Sequence, residues 1–245
     1  MKSIILLFAI FSLISAKDIR VAVAANVSYA MQDIIKAYKM KDNSTKITTT
    51  IGSSGKLAAQ ILNGAPYDIF LSANQKYPQN LYEKNITKEP PKVYVKGQLV
   101  LFSTKDLNIS KSLELLESKK VKKIAVANPK TAPYGVATKE ALINAKIYKK
   151  IEPKFVYGES IGQTLIFTLK AADIGIVAKS QLYSKPMSKY KEGKDFIDIN
   201  SSLYTPTKQA ALLLSNKDKA REFYNFLFSK EAKDIFRKYG YIVND

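Results

Sequence analysis

The stretch from Thr48 to Asn74, TTTIGSSGKLAAQILNGAPYDIFLSAN, constrains the fold more than any other part of the chain. The β-branched run Thr48 to Ile51 reads as a strand and Gly52-Ser53-Ser54-Gly55 as a turn stripped of bulk. Leu57, Ala58, Ile61 and Leu62 mark one face of a short helix that Asn63-Gly64 stops, and Ile69 to Leu71 forms a second buried strand. The first N–H groups of a helix lack an internal partner and carry the positive end of its dipole, so a hydroxyl-bearing turn at that point suits a small anion. A plainer role, in which Ser53 or Ser54 only caps the helix, fits the same residues. GSSGK is not a nucleotide phosphate loop: the G-x-x-x-x-G-K-[ST] spacing is absent, and Leu57 stands where a Mg²⁺-binding hydroxyl is needed.

The same grammar recurs. Arg20 to Ala24 is a short apolar strand that runs into Ala25-Asn26-Val27-Ser28, after which Ala30, Met31, Ile34, Ile35 and Tyr38 mark a helix face. Parallel strands would bring these two turns to one sheet edge. Further on, the turn Asn128 to Gly135 opens a helix through Val136, Ala137, Ala141 and Leu142, and Gly158-Glu159-Ser160 precedes a helix from Ile161 to Ala171. Strands are predicted at Gln98–Ser103, Ile124–Ala127, Phe155–Tyr157, Asp173–Val177 and Lys208–Ser215, and helices between Asp218 and Tyr239. Glu89-Pro90-Pro91 reads as a linker at a domain edge, and Tyr183 to Gly193 as polar and irregular. The alternation predicts an α/β protein with largely parallel sheets.

Lys2, an apolar run from Ile4 to Ile14 and Ser15-Ala16 have the layout of a cleavable export signal, residues 1–16, with Lys17 as the first mature residue. Cysteine and histidine are both absent, which excludes Cys nucleophiles, Ser-His-Asp triads, disulfides and zinc sites built on Cys or His. The formal charge is +18, but the lysines are scattered, and the densest cluster, Ser118 to Lys123, has no interleaved aromatics to stack bases. A solvated basic surface is expected, and no nucleic-acid partner.

The chain resembles the periplasmic molybdate-binding proteins of ABC transporters. The matching stretches are VAVAANVSYAMQDI (Val21 to Ile34), GSSGKLAAQILNGAPYDIFLSANQK (Gly52 to Lys76), VANPKTAPYGVATKEAL (Val126 to Leu142), ADIGIVAKS (Ala172 to Ser180) and EAKDIFRKYGY (Glu231 to Tyr241). The resemblance implies a two-lobed type II periplasmic binding protein fold, each lobe a mixed, mostly parallel sheet flanked by helices, with the ligand cleft between lobes. Residues 17–95 plus 207–245 would form the first lobe and 96–206 the second. It implies oxyanion ligands at Asn26, where many relatives have serine, at Ser54 through hydroxyl and N–H, and at the backbone N–H groups of Tyr134, Ile161 and Ala25. Ala178 departs from the pattern, because many relatives carry a tyrosine there whose hydroxyl reaches the anion. Tyr134 or Asn26 would have to compensate.

A fully ionised tetrahedral dianion only accepts hydrogen bonds, so Asn, Ser and helix-terminal N–H groups can hold it without a formal positive charge. Monohydrogen phosphate needs an acceptor for its proton, and Glu159, read as solvent-facing, is the only carboxylate beside a proposed ligand turn. The resemblance implies a protein that is not an enzyme but a monomeric periplasmic carrier with no cofactor and no direct cation site, taking molybdate or tungstate and delivering it to a membrane permease. Competing ligands are sulfate and ferric iron. The chain holds 15 tyrosines, but no two are adjacent. An enzyme on the same scaffold would have only Glu159 and Lys56 as reactive groups near the turns.

Overall fold

The computed structural model describes residues 18–243, so the expected leader lies outside the described residues. In the described part, β1 (Ile19–Ala24), β2 (Ile47–Gly52), β3 (Ile69–Ser72) and β4 (Lys92–Gly97) belong to one sheet. β5 (Leu99–Phe102), β6 (Ile124–Ala127), β7 (Phe155–Gly158), β8 (Ile174–Ala178) and β9 (Phe196–Asp198) form a second, and β10 (Thr207–Leu213) returns to the first. The strand orders are β2-β1-β3-β10-β4 and β7-β6-β8-β5-β9. The chain thus passes between sheets at Gln98 and again between Asp198 and Thr207.

Each sheet is mixed. β10 runs antiparallel to both its neighbours in the first sheet and β5 to both of its neighbours in the second, while the remaining pairings are parallel. Four strands of every five therefore share a direction, and the strand that opposes them is the one next to a crossing. β4 and β9 are strands that the residue pattern does not predict: Lys92–Gly97 follows the Pro90-Pro91 linker as an edge strand, and Phe196–Asp198 is only three residues long.

The helices are α1 (Ser28–Lys39), α2 (Ser54–Leu62), α3 (Lys76–Glu83), α4 (Pro133–Asn144), α5 (Tyr148–Ile151), α6 (Ile161–Lys170), α7 (Lys179–Leu182), α8 (Asp218–Phe226) and α9 (Lys230–Lys238). They cover both faces of each sheet. In the first, Val21, Val23, Ile69 and Leu71 pack with Met31, Ile34, Phe223 and Phe236 on one side, while Ala22, Phe70 and Leu212 pack with Leu57, Ile61 and Leu81 on the other. Alternate residues of one strand thus serve opposite cores, which is why the central strands are apolar almost throughout. The second sheet is divided in the same way between Leu99, Leu101, Ile124 and Ile176 on one face and Val100, Phe102 and Val177 on the other.

Candidate anion-binding site

Strand register assembles the site. Ala24 lies opposite Gly52 at the ends of β1 and β2, so Ala25-Asn26 and Ser53-Ser54 leave the first sheet side by side. Ala127 lies opposite Gly158 at the ends of β6 and β7, which sets the Asn128–Ala132 loop beside Glu159-Ser160. These two edges face one another across the cleft. Gly55 N–H donates to the Thr131 carbonyl at 3.0 Å, Ser180 Oγ donates to the Asn26 carbonyl at 3.0 Å, and Lys56 Nζ pairs with Glu159 at 2.9 Å. A Cβ on Gly162 would lie 3.2 Å from the Ala25 Cβ, so the start of α6 is pressed against the turn after β1.

The structure therefore brings together the starts of α2, α4 and α6 and the single 3-10 turn Ala25–Val27 that leads into α1. Ala25, Asn26, Ser54, Tyr134 and Ile161 are each 5% exposed or less. All five expected ligand residues thus lie at this junction, and the first N–H groups of each helix have no acceptor within their own helix. Pro133 opens α4 at a position where a missing N–H costs nothing.

The two serines divide the work. Ser53 Oγ accepts the Lys56 N–H at 3.4 Å and is the cap of α2. Ser54 Oγ accepts the Ala73 N–H at 2.9 Å, which fixes the side chain and leaves its own proton to donate. Ser160 caps α6 in the same manner, through the Gln163 N–H. Gln181 Nε2 donates to the Ile161 carbonyl, and its Oε1 accepts from Ala178 N–H, so α7 holds the first turn of α6 in place.

Asn26 is more heavily engaged than its position in a turn suggests. Its Nδ2 donates to Gln209 Oε1 at 2.8 Å and to the Tyr241 hydroxyl at 2.9 Å, while Oδ1 is buried without a partner. Tyr241 donates in turn to the Asn26 carbonyl at 2.9 Å. Gln209 is fully buried on β10; it accepts from the Tyr94 hydroxyl at 3.1 Å, and its Nε2 donates to the Tyr134 hydroxyl at 3.1 Å. Burial, then the neighbouring Tyr241, raises the Tyr134 phenol well above its ordinary range, so it stays protonated. The Tyr134 phenol is thus turned to the strand that joins the lobes, and Ala178 is wholly buried.

Glu159 is about half exposed, as read from the sequence, and its charge is met by Lys56. The hydrogen bond from Lys56, then that from Asn128, lowers its pKa. Among the described residues no cluster of three or more His, Cys, Asp or Glu side chains could hold a metal ion. Gln209, Tyr241 and Ser180 were not predicted as site residues. The only signal for Gln209 is an uncharged polar residue at the head of the apolar run in KQAALLLS.

Comparison with known proteins agrees with this architecture. The family model for bacterial extracellular solute-binding proteins matches residues 19–242. The molybdate-binding protein ModA of Azotobacter vinelandii is 34% identical over 231 residues, covering 92% of this chain and 90% of that protein. The protein of the same name from Rhodobacter capsulatus is 35% identical over 234 residues, covering 94% and 90%. The solved structure of the Azotobacter vinelandii periplasmic molybdate-binding protein superposes with a TM-score of 0.86 at 27% identity, covering 93% of this chain and all of that one. The chain belongs to the bacterial extracellular solute-binding proteins, in the family of the ModA molybdate-binding proteins.

Proposed function

We propose that this protein captures molybdate, and tungstate as well, in the cleft between its lobes and delivers it to the membrane permease of an ABC transporter. It acts as a monomeric carrier outside the cytoplasmic membrane, exported by residues 1–16, and not as an enzyme. Residues 17–95 with 207–245 make one lobe and 96–206 the other. The observation that carries the reading is the meeting of the starts of α2, α4, α6 and the Ala25–Val27 turn at one buried point, with the nearest rim carboxylate, Glu159, held by Lys56.

In this reading the cage consists of the Ala25, Asn26, Ser54, Tyr134 and Ile161 N–H groups, the Ser54 hydroxyl and the Asn26 side-chain amide. Aligned dipoles spread the charge of a dianion that can only accept. Only the closed form lets both lobes donate, so the anion shifts the population towards closure, and closure is what a permease would recognise.

Calorimetric titration of residues 17–245 with molybdate, tungstate, sulfate, phosphate and ferric citrate tests the proposal. One-to-one binding of molybdate or tungstate, with the others silent, is the expected result. Silence from both metal oxyanions overturns it.

A further inference from the structure

Asn26 Oδ1 is the one buried, unpartnered acceptor among the groups at the junction. Its Nδ2 is turned to Gln209 and Tyr241, so Oδ1 points away from the strand that joins the lobes. A carbonyl oxygen has nothing to offer a ligand that only accepts hydrogen bonds. The oxygen and nitrogen of an amide exchange places when the group turns by half a revolution, and the hydrogen-bond network decides which arrangement holds.

We propose that Asn26 and Gln209 form a coupled amide pair that turns as a unit and sets whether the anion cage meets an N–H donor or a C=O acceptor at Asn26. Gln209, which does not belong to the cage, is thereby a specificity-determining positioning residue. This inference rests on the function proposed above.

The turned network is complete. Gln209 Nε2 then donates to Asn26 Oδ1 and to the Tyr94 hydroxyl, which can pass its own proton to the Ser72 carbonyl, 3.5 Å away. The Tyr134 hydroxyl donates to Gln209 Oε1 across the present 3.1 Å contact. Tyr241 moves its proton from the Asn26 carbonyl to Asn26 Oδ1, and the carbonyl keeps the hydroxyl of Ser180. Gln209, Tyr94, Tyr134 and Tyr241 all keep partners, and Asn26 Nδ2 is released to the position that Oδ1 now holds, where only a bound oxyanion can accept from it. That arrangement suits molybdate or sulfate, whereas the present one suits an oxyanion that carries a proton.

Gln209→Glu separates the two arrangements. A carboxylate only accepts, so it fixes Asn26 with Nδ2 towards Glu and Oδ1 towards the anion. At a mildly alkaline pH, where phosphate is the monohydrogen dianion, molybdate and phosphate carry the same charge, and plain repulsion by the new carboxylate weakens both alike. The expected result is that calorimetry of the variant shows the molybdate-to-phosphate affinity ratio falling by about tenfold or more. An unchanged ratio overturns the inference, whether both affinities fall together or neither falls. If the wild-type protein itself takes no oxyanion, the proposed function has failed and the inference falls with it.

A second readout does not depend on the variant folding. The side-chain ¹⁵N–¹H resonances of Asn26, assigned by their loss in Asn26→Ser, should move on adding molybdate to the wild-type protein. Resonances that stay at their free-protein positions in the molybdate-bound protein overturn the inference.

Discussion

The N–H of Gly55, in the first turn of α2, donates to the carbonyl of Thr131 in the loop before α4 at 3.0 Å, and this bond joins the two lobes backbone to backbone. A Cβ on Gly55 would stand 2.8 Å from that carbonyl oxygen and 2.8 Å from the Tyr77 hydroxyl. The phenol can swing aside, but the carbonyl belongs to the backbone of the opposite lobe. Gly55→Ala should therefore leave the open form intact and oppose closure. The expected outcome is an unchanged melting temperature without ligand and a molybdate affinity lower by about tenfold, the equivalent of ~1.4 kcal/mol, measured by calorimetry.

Ser54 and Ser53 should fail in different ways. Ser54→Ala removes a hydroxyl donor to a charged acceptor and should weaken molybdate binding by about 1.5–3 kcal/mol. Ser53→Ala removes the cap of α2 and should cost about 1 kcal/mol of thermal stability with a smaller effect on affinity. Paired calorimetry and thermal unfolding check both. Equal affinity in Ser54→Ala and wild type would count against Ser54 as a ligand.

Asn26→Asp should nearly abolish oxyanion binding. A carboxylate places negative charge beside the dianion and has no N–H to offer it. Titration of the folded variant with molybdate checks this, and normal binding would mean that the Asn26 side chain does not reach the anion.

The Lys56–Glu159 pair predicts how closure responds to acid. The hydrogen bond from Lys56 lowers the Glu159 pKa from its ordinary 4.5, so the carboxylate favours the closed form above that value. The contribution fades as pH falls through 4.5 and into the lowered range. Both partners are about half exposed, so the effect should be small and suppressed by salt. Molybdate affinity measured across this window should decline in the wild-type protein more than in Glu159→Gln.

Asp173 predicts a stability effect away from the cleft. Its Oδ2 accepts the N–H groups of Lys122 and Lys123 at 2.7 and 2.8 Å, and Lys105 pairs with Oδ1. Burial raises its pKa, but the Lys105 hydrogen bond and the two backbone N–H groups outweigh that effect and hold it at about 2, below the ordinary 3.8. The stabilisation is present above 3.8 and is lost as pH falls towards 2. Asp173→Asn should cost about 1–2 kcal/mol at neutral pH, with the gap to wild type narrowing through that window in thermal melts.

The helix starts were legible because small polar turns between apolar runs follow local rules. Ser54, Tyr134 and Ile161 stand at such starts, and strand register carries them together. Strand direction was not legible in the same way. Nothing in KQAALLLS states that β10 will lie between β3 and β4 and run against both, because a strand's direction is set by the path of the chain. β4 was hidden by its place at a sheet edge, where KVYVKG carries lysines at both ends of an otherwise buried centre. Gln209 was hidden because burial without charge leaves no periodic signature. Its role is visible only once Tyr94, Tyr134 and Asn26, far apart in sequence, are found around it.

Tyr241 grips Asn26 from 215 residues further along the chain. A ribosome that has already made both sheets has still not made one of the groups that hold the first turn of the cage. If the proposed cage holds an anion, a chain that stops short of Tyr241 lacks one of its supports.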